Sequence, residues 1–194
     1  MTDARDLIVI ADGGPLIRLA AAQLLDAMRL TNRLIVIVDM VEDEACNRHP
    51  DKPHAADIRA WIGRMGEAVQ RPETGEGIIV EALRSRAPTT ANQQALKKRL
   101  RDSGERAIRD YIESIEPQDV NSVLVLHEDQ AVPRLMRASN VPLRLMTTRA
   151  FVQMMIDRGL NRDAAAALDE VAGRFSVEPA MDLWMHPFGA PTAD

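Results

Sequence analysis

The two stretches that decide the fold are LIVIAD at residues 7–12 and VLVLHED at residues 123–129. Each is a short apolar run, typical of a buried strand, that ends directly on carboxylates and is followed by helix-like sequence. Ligands of an open parallel sheet bind outside the carboxyl ends of its strands. Carboxylates gathered there repel one another unless a cation lies between them, and hard divalent cations prefer oxygen ligands. The two stretches therefore predict an acidic, cation-binding crevice.

Strand-like and helix-like segments alternate along the rest of the chain. The pattern predicts strands at 7–11, 34–38, 77–83, 122–126 and 143–146. It predicts helices at 16–30, 40–48, 55–68, 104–115, 131–138, 148–157 and 161–171. Such alternation predicts an α/β fold with three layers, α/β/α, around a central parallel sheet of about four or five strands. We expect residues 84–94 to be irregular, residues 1–174 to form a single domain, and residues 175–194 to form a C-terminal tail.

The composition restricts the class of protein. A chain of 194 residues that is 46% hydrophobic and 27% charged fits one globular domain, and a net charge of -5 argues against general coating of nucleic acid. Aromatic residues make up only 3%, which disfavours a stacking platform for bases. The single cysteine, Cys46, excludes an internal disulfide and fits a reducing compartment. Since no apolar run reaches the roughly 18 residues of a membrane span, we expect a cytoplasmic protein with no membrane partner.

Four acids from four separate segments are the candidate site residues: Asp12, Glu44, Glu105 and Asp129. Each has a structural explanation beside the functional one. Asp12 stands before a Gly-Gly-Pro turn, Glu105 has the spacing of a capping partner for Asp102, and either Glu128 or Asp129 is suited to cap the next helix. The joint placement of acids at crevice-facing ends, more than any one of them, favours a metal site.

Glu44 is the acid whose position depends most on helix geometry. At about 100° per residue, a helix over 40–48 places Glu44 on the inward face and Glu42 and Asp43 on the solvent face. An inward carboxylate needs a positive partner, so Glu44 is interpreted as either a site residue or the partner of Arg48. Asp39 and Glu42 have the spacing of a capping box.

The order of these motifs resembles that of PIN-domain nucleases, the fold of many VapC-type toxins of bacterial toxin–antitoxin modules. The resemblance rests on residues 11–20, 38–44, 104–108, 128–134 and 147–160, and it extends from residue 7 to about 174. Members of that family bind Mg²⁺ or Mn²⁺ through four acids and cleave RNA. By position, the resemblance assigns these catalytic and metal-binding roles to Asp12, Glu44, Glu105 and Asp129.

Two features of this chain depart from the family pattern. Gly14 stands where many members have a serine or threonine beside the first acid. His127 and Glu128 replace the usual threonine-bearing segment before the fourth acid. The departures concern the surroundings of the predicted metal ligands. Two alternatives to an ordinary active site therefore stay open: altered metal affinity, or an inactive site.

The resemblance implies a metal-dependent ribonuclease toxin with Mg²⁺ or Mn²⁺ as cofactor, RNA as substrate and an antitoxin as partner; homodimers are common in the family. An acidic crevice that takes RNA also needs a basic border. The candidates for that border are Lys97, Lys98, Arg99, Arg101 and Arg134, with Arg106, Arg109 and Arg137 nearby; the run 97–101 is alternatively a solvated helix face. The apolar residues of helix 16–30 belong either to the core or to an antitoxin surface: Leu16, Leu19, Leu24, Leu25 and Met28.

The main alternative is a catalytically silent PIN-like domain that acts as a binding or regulatory module with the same fold. A receiver-like phosphoacceptor at Asp12 is a third interpretation. The sequence lacks zinc-ligand spacing, a phosphate-binding glycine loop and a nucleophile elbow. These absences leave the carboxylates as the chemistry-bearing residues.

Overall fold

One sheet of six strands organises the protein. The structure, a computed structural model, describes residues 8–129, 132–136, 139–172 and 182–185. The strands are β1 (Ile8–Ala11), β2 (Leu34–Val36), β3 (Val69–Gln70), β4 (Val123–Leu126), β5 (Leu143–Met146) and β6 (Asp182–Met185). Their order in the sheet is β3-β2-β1-β4-β5-β6. The first five strands are parallel and β6 is antiparallel to β5, which confirms the predicted α/β fold around a parallel sheet.

Helices cover both faces of the sheet. They are α1 (Gly13–Ala21), α2 (Asp39–Glu42), α3 (Pro53–Met65), α4 (Gly75–Arg84), α5 (Thr90–Leu100), α6 (Ser103–Glu113), α7 (Val132–Leu135), α8 (Thr148–Asp157) and α9 (Asp163–Ala172). Helix α2 continues into a π-helical turn at Asp43–Asn47, and 3-10 turns lie at Leu25–Thr31, Gly66–Ala68 and Pro117–Asp119. Helices α1, α3, α8 and α9 pack together, and α2, α4, α6 and α7 form a second group.

The centre of the sheet sets the place of the candidate site. All residues of β1 and β4 are buried, as expected for parallel strands covered on both faces. Ala11 pairs with Leu126, so the two strands end side by side. From β1 the chain proceeds outward to β2 and β3 on one side, and from β4 to β5 on the other. Crevices form where strand order reverses in this way, and here that point is the carboxyl end of β1 and β4.

Three predicted elements are wrong. Residues 77–83 are part of helix α4, and the third strand is the two-residue β3. Thr74 explains the difference, because its side chain accepts a hydrogen bond from Gly77 N at 3.1 Å and caps the helix. Residues 90–94, expected to be irregular, begin α5 under the Thr89 cap. Within the expected tail, 182–185 form β6, and the rest of 175–194 lies outside the described residues.

The apolar residues of the first helical region belong mainly to the core. Leu16, Leu19 and Met28 are fully buried and Leu25 is 7% exposed, which removes them as an antitoxin-docking surface. Leu24 is half-buried against the same core. This apolar face therefore packs α1 and the following 3-10 turn against the core.

Among the described residues, the helices are too short or too polar to span a bilayer.

Candidate functional site

Asp12 is a buried acid at the carboxyl end of β1. It follows β1, and its backbone N–H donates to the carbonyl of Leu126 at 3.0 Å, which ties the ends of β1 and β4 together. Asp12 occupies the N-cap position of α1, yet its side chain forms no capping hydrogen bond. Asp12 as a whole is only 8% exposed. The carboxylate is therefore placed in the crevice without serving as the helix cap.

Two glycines show how closely the first two acids approach each other. A Cβ atom added to Gly104 would lie 3.2 Å from Asp12 Oδ1 and 3.5 Å from Glu44 Oε2. A Cβ atom added to Gly13 would lie 3.4 Å from Glu44 Oε1. The two carboxylates thus face a common space between the first turns of α1 and α6. Glycine at both positions leaves that space open.

The orientation of Glu44 depends on the π-helical turn. Asp43 and Glu42 were expected on the solvent face, but their side chains are 12% and 14% exposed, whereas that of Glu44 is 43% exposed. A π-helix hydrogen-bonds from i to i+5, so the spacing of an ordinary helix does not apply. Glu44 therefore reaches the mouth of the crevice, and Asp43 points into the protein.

The capping box expected for Asp39 and Glu42 is wrong. Asp39 accepts hydrogen bonds from the backbone N–H and hydroxyl of Thr74 at 2.9 and 2.8 Å. Glu42 binds the guanidinium of Arg71 in a bidentate pair at 2.5 and 2.6 Å. Both acids fasten the segment before α4 to α2, and neither faces the crevice occupied by Asp12.

Glu105 comes from the first turn of α6. The capping explanation for it is wrong, because Asp102 has a left-handed backbone (φ 52°) and its side chain forms no capping hydrogen bond. Burial, followed by the charges of Glu44, Asp102 and Asp129, raises the pKa of Glu105 above its usual range, although its own backbone N–H acts in the opposite direction. Glu105 therefore shares its electrostatic environment with the other candidate acids.

The same environment acts most strongly on Asp12. Burial and then the charge of Glu105 raise the pKa of Asp12 from 3.8 to about 8, with Glu44 and Asp129 adding to the rise and the backbone N–H of Gly13 opposing it. All four predicted site residues are thus electrostatically coupled around Asp12. Without a cation, Asp12 holds its proton at neutral pH.

Asp129, and not Glu128, is the fourth acid of this cluster. Glu128 forms an ion pair with Arg18 at 2.8 Å and accepts hydrogen bonds from the backbone and hydroxyl of Thr148. Asp129 is exposed at the crevice, and the ring of His127 contacts its carbonyl oxygen at 2.9 Å. The turn after β4 is therefore fixed through Glu128 and His127, and the charge of Asp129 acts on Asp12.

Gly14 and Glu128, which are far apart in the sequence, lie against each other in the structure. A Cβ atom on Gly14 would lie 3.1 Å from Glu128 Cγ and 3.3 Å from its Cβ. A serine or threonine at position 14 would therefore crowd Glu128. Neither residue could have been connected to the other from the sequence, because 114 positions separate them and no spacing relates them.

The predicted basic border divides into two kinds of residue. Arg99 and Arg106 bind the buried carboxylate of Glu76, and Arg109 binds Glu113 at 2.6 Å. Within the described ranges, by contrast, no ion pair involves the exposed residues Lys97, Lys98, Arg101 and Arg134. Arg101 lies two residues before α6, whose first turn contributes Gly104 and Glu105. Arg137 lies outside the described residues.

Arg48 connects the segment of Glu44 to that of Glu105. Its guanidinium contacts Asp43 at 2.9 Å, Glu44 at 3.7 Å, Ser103 Oγ at 2.6 Å and the carbonyl of Leu100 at 3.3 Å. The ion pair with Glu44 that the sequence suggested is therefore present, but it is the longest of these contacts. The contact with Ser103 was not foreseen, since 55 positions separate the two residues.

We expect Arg48→Met to lower the free energy of unfolding by roughly 2–3 kcal/mol, because Ser103 Oγ and the Leu100 carbonyl lose a partly buried, charged donor. Arg84 is the matched control, since it also binds Asp43, at 2.7 Å, but is 36% exposed and forms no ion pair with α6 in the described part of the chain. Arg84→Met should cost less than about 1 kcal/mol. Urea denaturation of both variants measures the difference, and equal losses would contradict the bridging role of Arg48.

Comparison of the chain with family models, curated proteins and solved structures found no match. The geometry alone therefore bears on function. Among the described residues, no group of three or more His, Cys, Asp or Glu side chains is arranged to hold a metal ion. Asp12 and Glu44 do face one space, while Glu105 and Asp129 lie near enough to act on Asp12 electrostatically.

Proposed function

We propose that this protein is a metal-dependent ribonuclease that uses Mg²⁺ or Mn²⁺ at the acidic crevice. The observation that carries the proposal is the approach of Asp12 and Glu44 to one space at the carboxyl ends of β1 and β4, with Glu105 and Asp129 beside them. Four coupled acids at this edge are costly to keep together unless a cation binds there.

The residues present fit a hard divalent cation. The donor set consists of carboxylate oxygens, which Mg²⁺ and Mn²⁺ prefer, and few of them are needed because Mg²⁺ retains several waters. The space beside Gly13 and Gly104, which a Cβ atom would fill, lies next to Asp12 and Glu44. Asp12 and Asp129 are the proposed direct ligands, and Glu44 and Glu105 would hold bound waters or a second ion.

When bound, such a cation supplies an activated water and neutralises the charge that builds up on a phosphodiester oxygen. The chain's own residues supply the positioning. Asp12, fixed by the pairing of β1 with β4, orients the reacting end of the site. Glu44 and Asp129 stand at the solvent-facing mouth, where a phosphodiester would enter.

RNA would approach the crevice along exposed cations. Lys97, Lys98 and Arg101 lead along α5 toward the first turn of α6, and Arg134 lies on α7 beyond Asp129. Contacts of this type bind phosphates without reading sequence. They offset the repulsion that the acidic crevice exerts on the RNA backbone.

Two measurements test the proposal with the same pair of variants. Millimolar Mn²⁺ should raise the Tm of the wild-type protein and should not raise that of Asp12→Asn, because a ligand stabilises only the state that binds it. Cleavage of a single-stranded RNA in Mn²⁺ should fall by about 10³-fold or more in Asp12→Asn, since the variant loses a carboxylate ligand of the reacting site. The control is Asp119→Asn, an exposed acid that precedes β4 and thus lies away from its carboxyl end; it should match wild type in both measurements.

A silent binding domain is the second candidate, and it is favoured by the lack of a metal-ready group of three side chains among the described residues. It predicts neither a Mn²⁺-dependent rise in Tm nor RNA cleavage. Either absence in the wild-type protein would reject the nuclease assignment.

The resemblance of the motifs to VapC-type sequences extends the proposal to a toxin with an antitoxin partner. Induced expression of the wild-type chain in bacteria should then arrest growth, because free ribonuclease activity degrades the host's RNA. Expression of Asp12→Asn to the same level should not. Unimpaired growth with wild-type protein that cleaves RNA in vitro would reject the toxin role alone.

A further inference from the structure

One arginine side chain reaches the acids of the proposed metal site. Arg48 Nη1 lies 3.7 Å from Glu44 Oε2. The same oxygen faces Asp12, because a Cβ atom added to Gly104 would lie 3.5 Å from Glu44 Oε2 and 3.2 Å from Asp12 Oδ1. Within the described ranges, neither Asp12 nor Glu105 forms an ion pair. A cation that binds between Asp12 and Glu44 would therefore meet the oxygen that Arg48 already contacts.

The position of Arg48 does not depend on Glu44. The guanidinium binds Asp43 Oδ2 at 2.9 Å, and it donates to Ser103 Oγ at 2.6 Å and to the carbonyl of Leu100 at 3.3 Å. These contacts leave the Arg48 side chain only 20% exposed. The side chain of Glu44 is 43% exposed, so its carboxylate has room to turn while the guanidinium stays in place. The positive charge of Arg48 therefore remains beside the crevice whatever Glu44 binds.

We propose that Arg48 is the internal counter-cation of the empty crevice, and that a divalent cation displaces it from Glu44 Oε2, either directly or through a bound water. This exchange, which rests on the proposed metal-dependent function, controls when the site is loaded. In the empty crevice Arg48 neutralises part of the charge of Glu44, and a positive charge held nearby opposes the arrival of a second one. The crevice should therefore load at a higher concentration of divalent cation than its four acids alone would require.

The exchange also agrees with the arrangement of the acids in the empty crevice. Among the described residues, the acids are not grouped in threes around a common point that could hold an ion. An acid that contacts an arginine is not yet turned toward a cation. Once a cation takes the place of Arg48, Glu44 is free to turn toward Asp12 and Glu105.

A purely structural role of Arg48 predicts the opposite effect on metal binding. If Arg48 only joins the segment of Glu44 to that of Glu105, its loss lets the acids separate and weakens the binding of Mn²⁺. If Arg48 competes with the metal, its loss strengthens the binding of Mn²⁺. The sign of the change in the Kd for Mn²⁺ therefore separates the two roles, and the measurement does not require RNA cleavage.

Isothermal titration calorimetry of the full-length protein with Mn²⁺ tests the exchange. The neutral variants Arg48→Gln and Arg48→Met should each bind Mn²⁺ with a Kd about tenfold lower than that of wild type, because one nearby positive charge is removed. Arg48→Lys keeps the charge and should stay close to wild type. Arg84→Gln is the matched control, since it removes another cation that binds Asp43, at 2.7 Å, and it should change the Kd by less than about threefold. Circular dichroism checks that each variant is folded.

A double variant shows whether the effect passes through Glu44. Glu44→Gln lacks the charged oxygen that the arginine and the metal share, so adding Arg48→Gln to it should lower the Kd by less than about threefold. An equal gain with and without the Glu44 carboxylate would overturn the exchange. A Kd of Arg48→Gln equal to or higher than that of wild type would also overturn it and would leave the metal site standing. Absence of Mn²⁺ binding by both proteins would reject the metal site itself, and the exchange with it.

Discussion

Asp12→Asn should raise the free energy of unfolding of the metal-free protein at pH 8 by roughly 3 kcal/mol. The carboxyl group of Asp12 has its pKa raised from 3.8 to about 8 in the folded protein. Between these values the unfolded chain releases a proton that the folded protein retains. Stability contributed by the protonated group is therefore complete below about pH 4 and is lost as the pH rises to 8. The asparagine side chain has no proton to release, and its oxygen can still accept a hydrogen bond from the backbone N–H of Gly13.

The pH dependence separates this effect from a general change in packing. For a chain of this size the Tm should rise by roughly 6–12 °C at pH 8, and the rise should be much smaller at pH 5. Asp119→Asn, the exposed control, should change the Tm little at either pH. Scanning calorimetry in EDTA measures all three proteins. An Asp12→Asn variant as stable as wild type at pH 8 would show that the acids do not oppose folding.

Gly77→Ala should destabilise the protein by roughly 2–4 kcal/mol, the range of an overpacked contact that also breaks hydrogen bonds. A Cβ atom at Gly77 would lie 1.8 Å from Asp39 Oδ2 and 2.7 Å from its Cγ. Asp39 cannot turn aside without giving up its hydrogen bonds to Thr74, which hold the start of α4. Either α4 moves away from α2, or the connection between Asp39 and Thr74 is lost.

Gly63→Ala supplies the matched control for that substitution. Gly63 is an exposed residue of α3, and a Cβ atom added there meets nothing within 4 Å. Alanine in a helix interior is favoured over glycine, so this variant should gain roughly 0.5–1 kcal/mol. Urea denaturation should therefore place the two glycine-to-alanine variants on opposite sides of wild type. A Gly77→Ala protein as stable as wild type would contradict the close contact between α4 and Asp39.

The sequence was sufficient for the centre of the fold and for the position of Asp12 at the end of β1. Strands β1 and β4 are continuous apolar runs, and their carboxylate endings predicted where Asp12 and Asp129 lie. Parallel pairing then brings those ends together, because Ala11 and Leu126 are in register. For β1 and β4, the local sequence pattern and the general rules of parallel-sheet topology were enough to predict the arrangement.

Other parts depend on contacts that no local pattern reveals. The run of Ile78, Ile79 and Val80 has strand-like composition, but the Thr74 cap and the burial of Glu76 between two arginines favour a helix. The π-helical turn changes which side chains face inward, so the helical wheel exchanged the environments of Asp43 and Glu44. The positioning contact between Arg48 and Ser103 joins segments that only the folded chain brings together.

The two-residue strand β3 limits how the molecule associates at that edge of the sheet. Val69 and Gln70 offer a template of only about 7 Å, too short for an incoming strand to add a ladder of main-chain hydrogen bonds. Growth of the sheet by strand addition is thereby discouraged on this flank, and recognition there falls to side chains. Selectivity for a partner at this edge would consequently depend more on the shape and charge of side chains than on backbone pairing. Point substitutions can alter side-chain shape and charge, but they cannot alter backbone pairing.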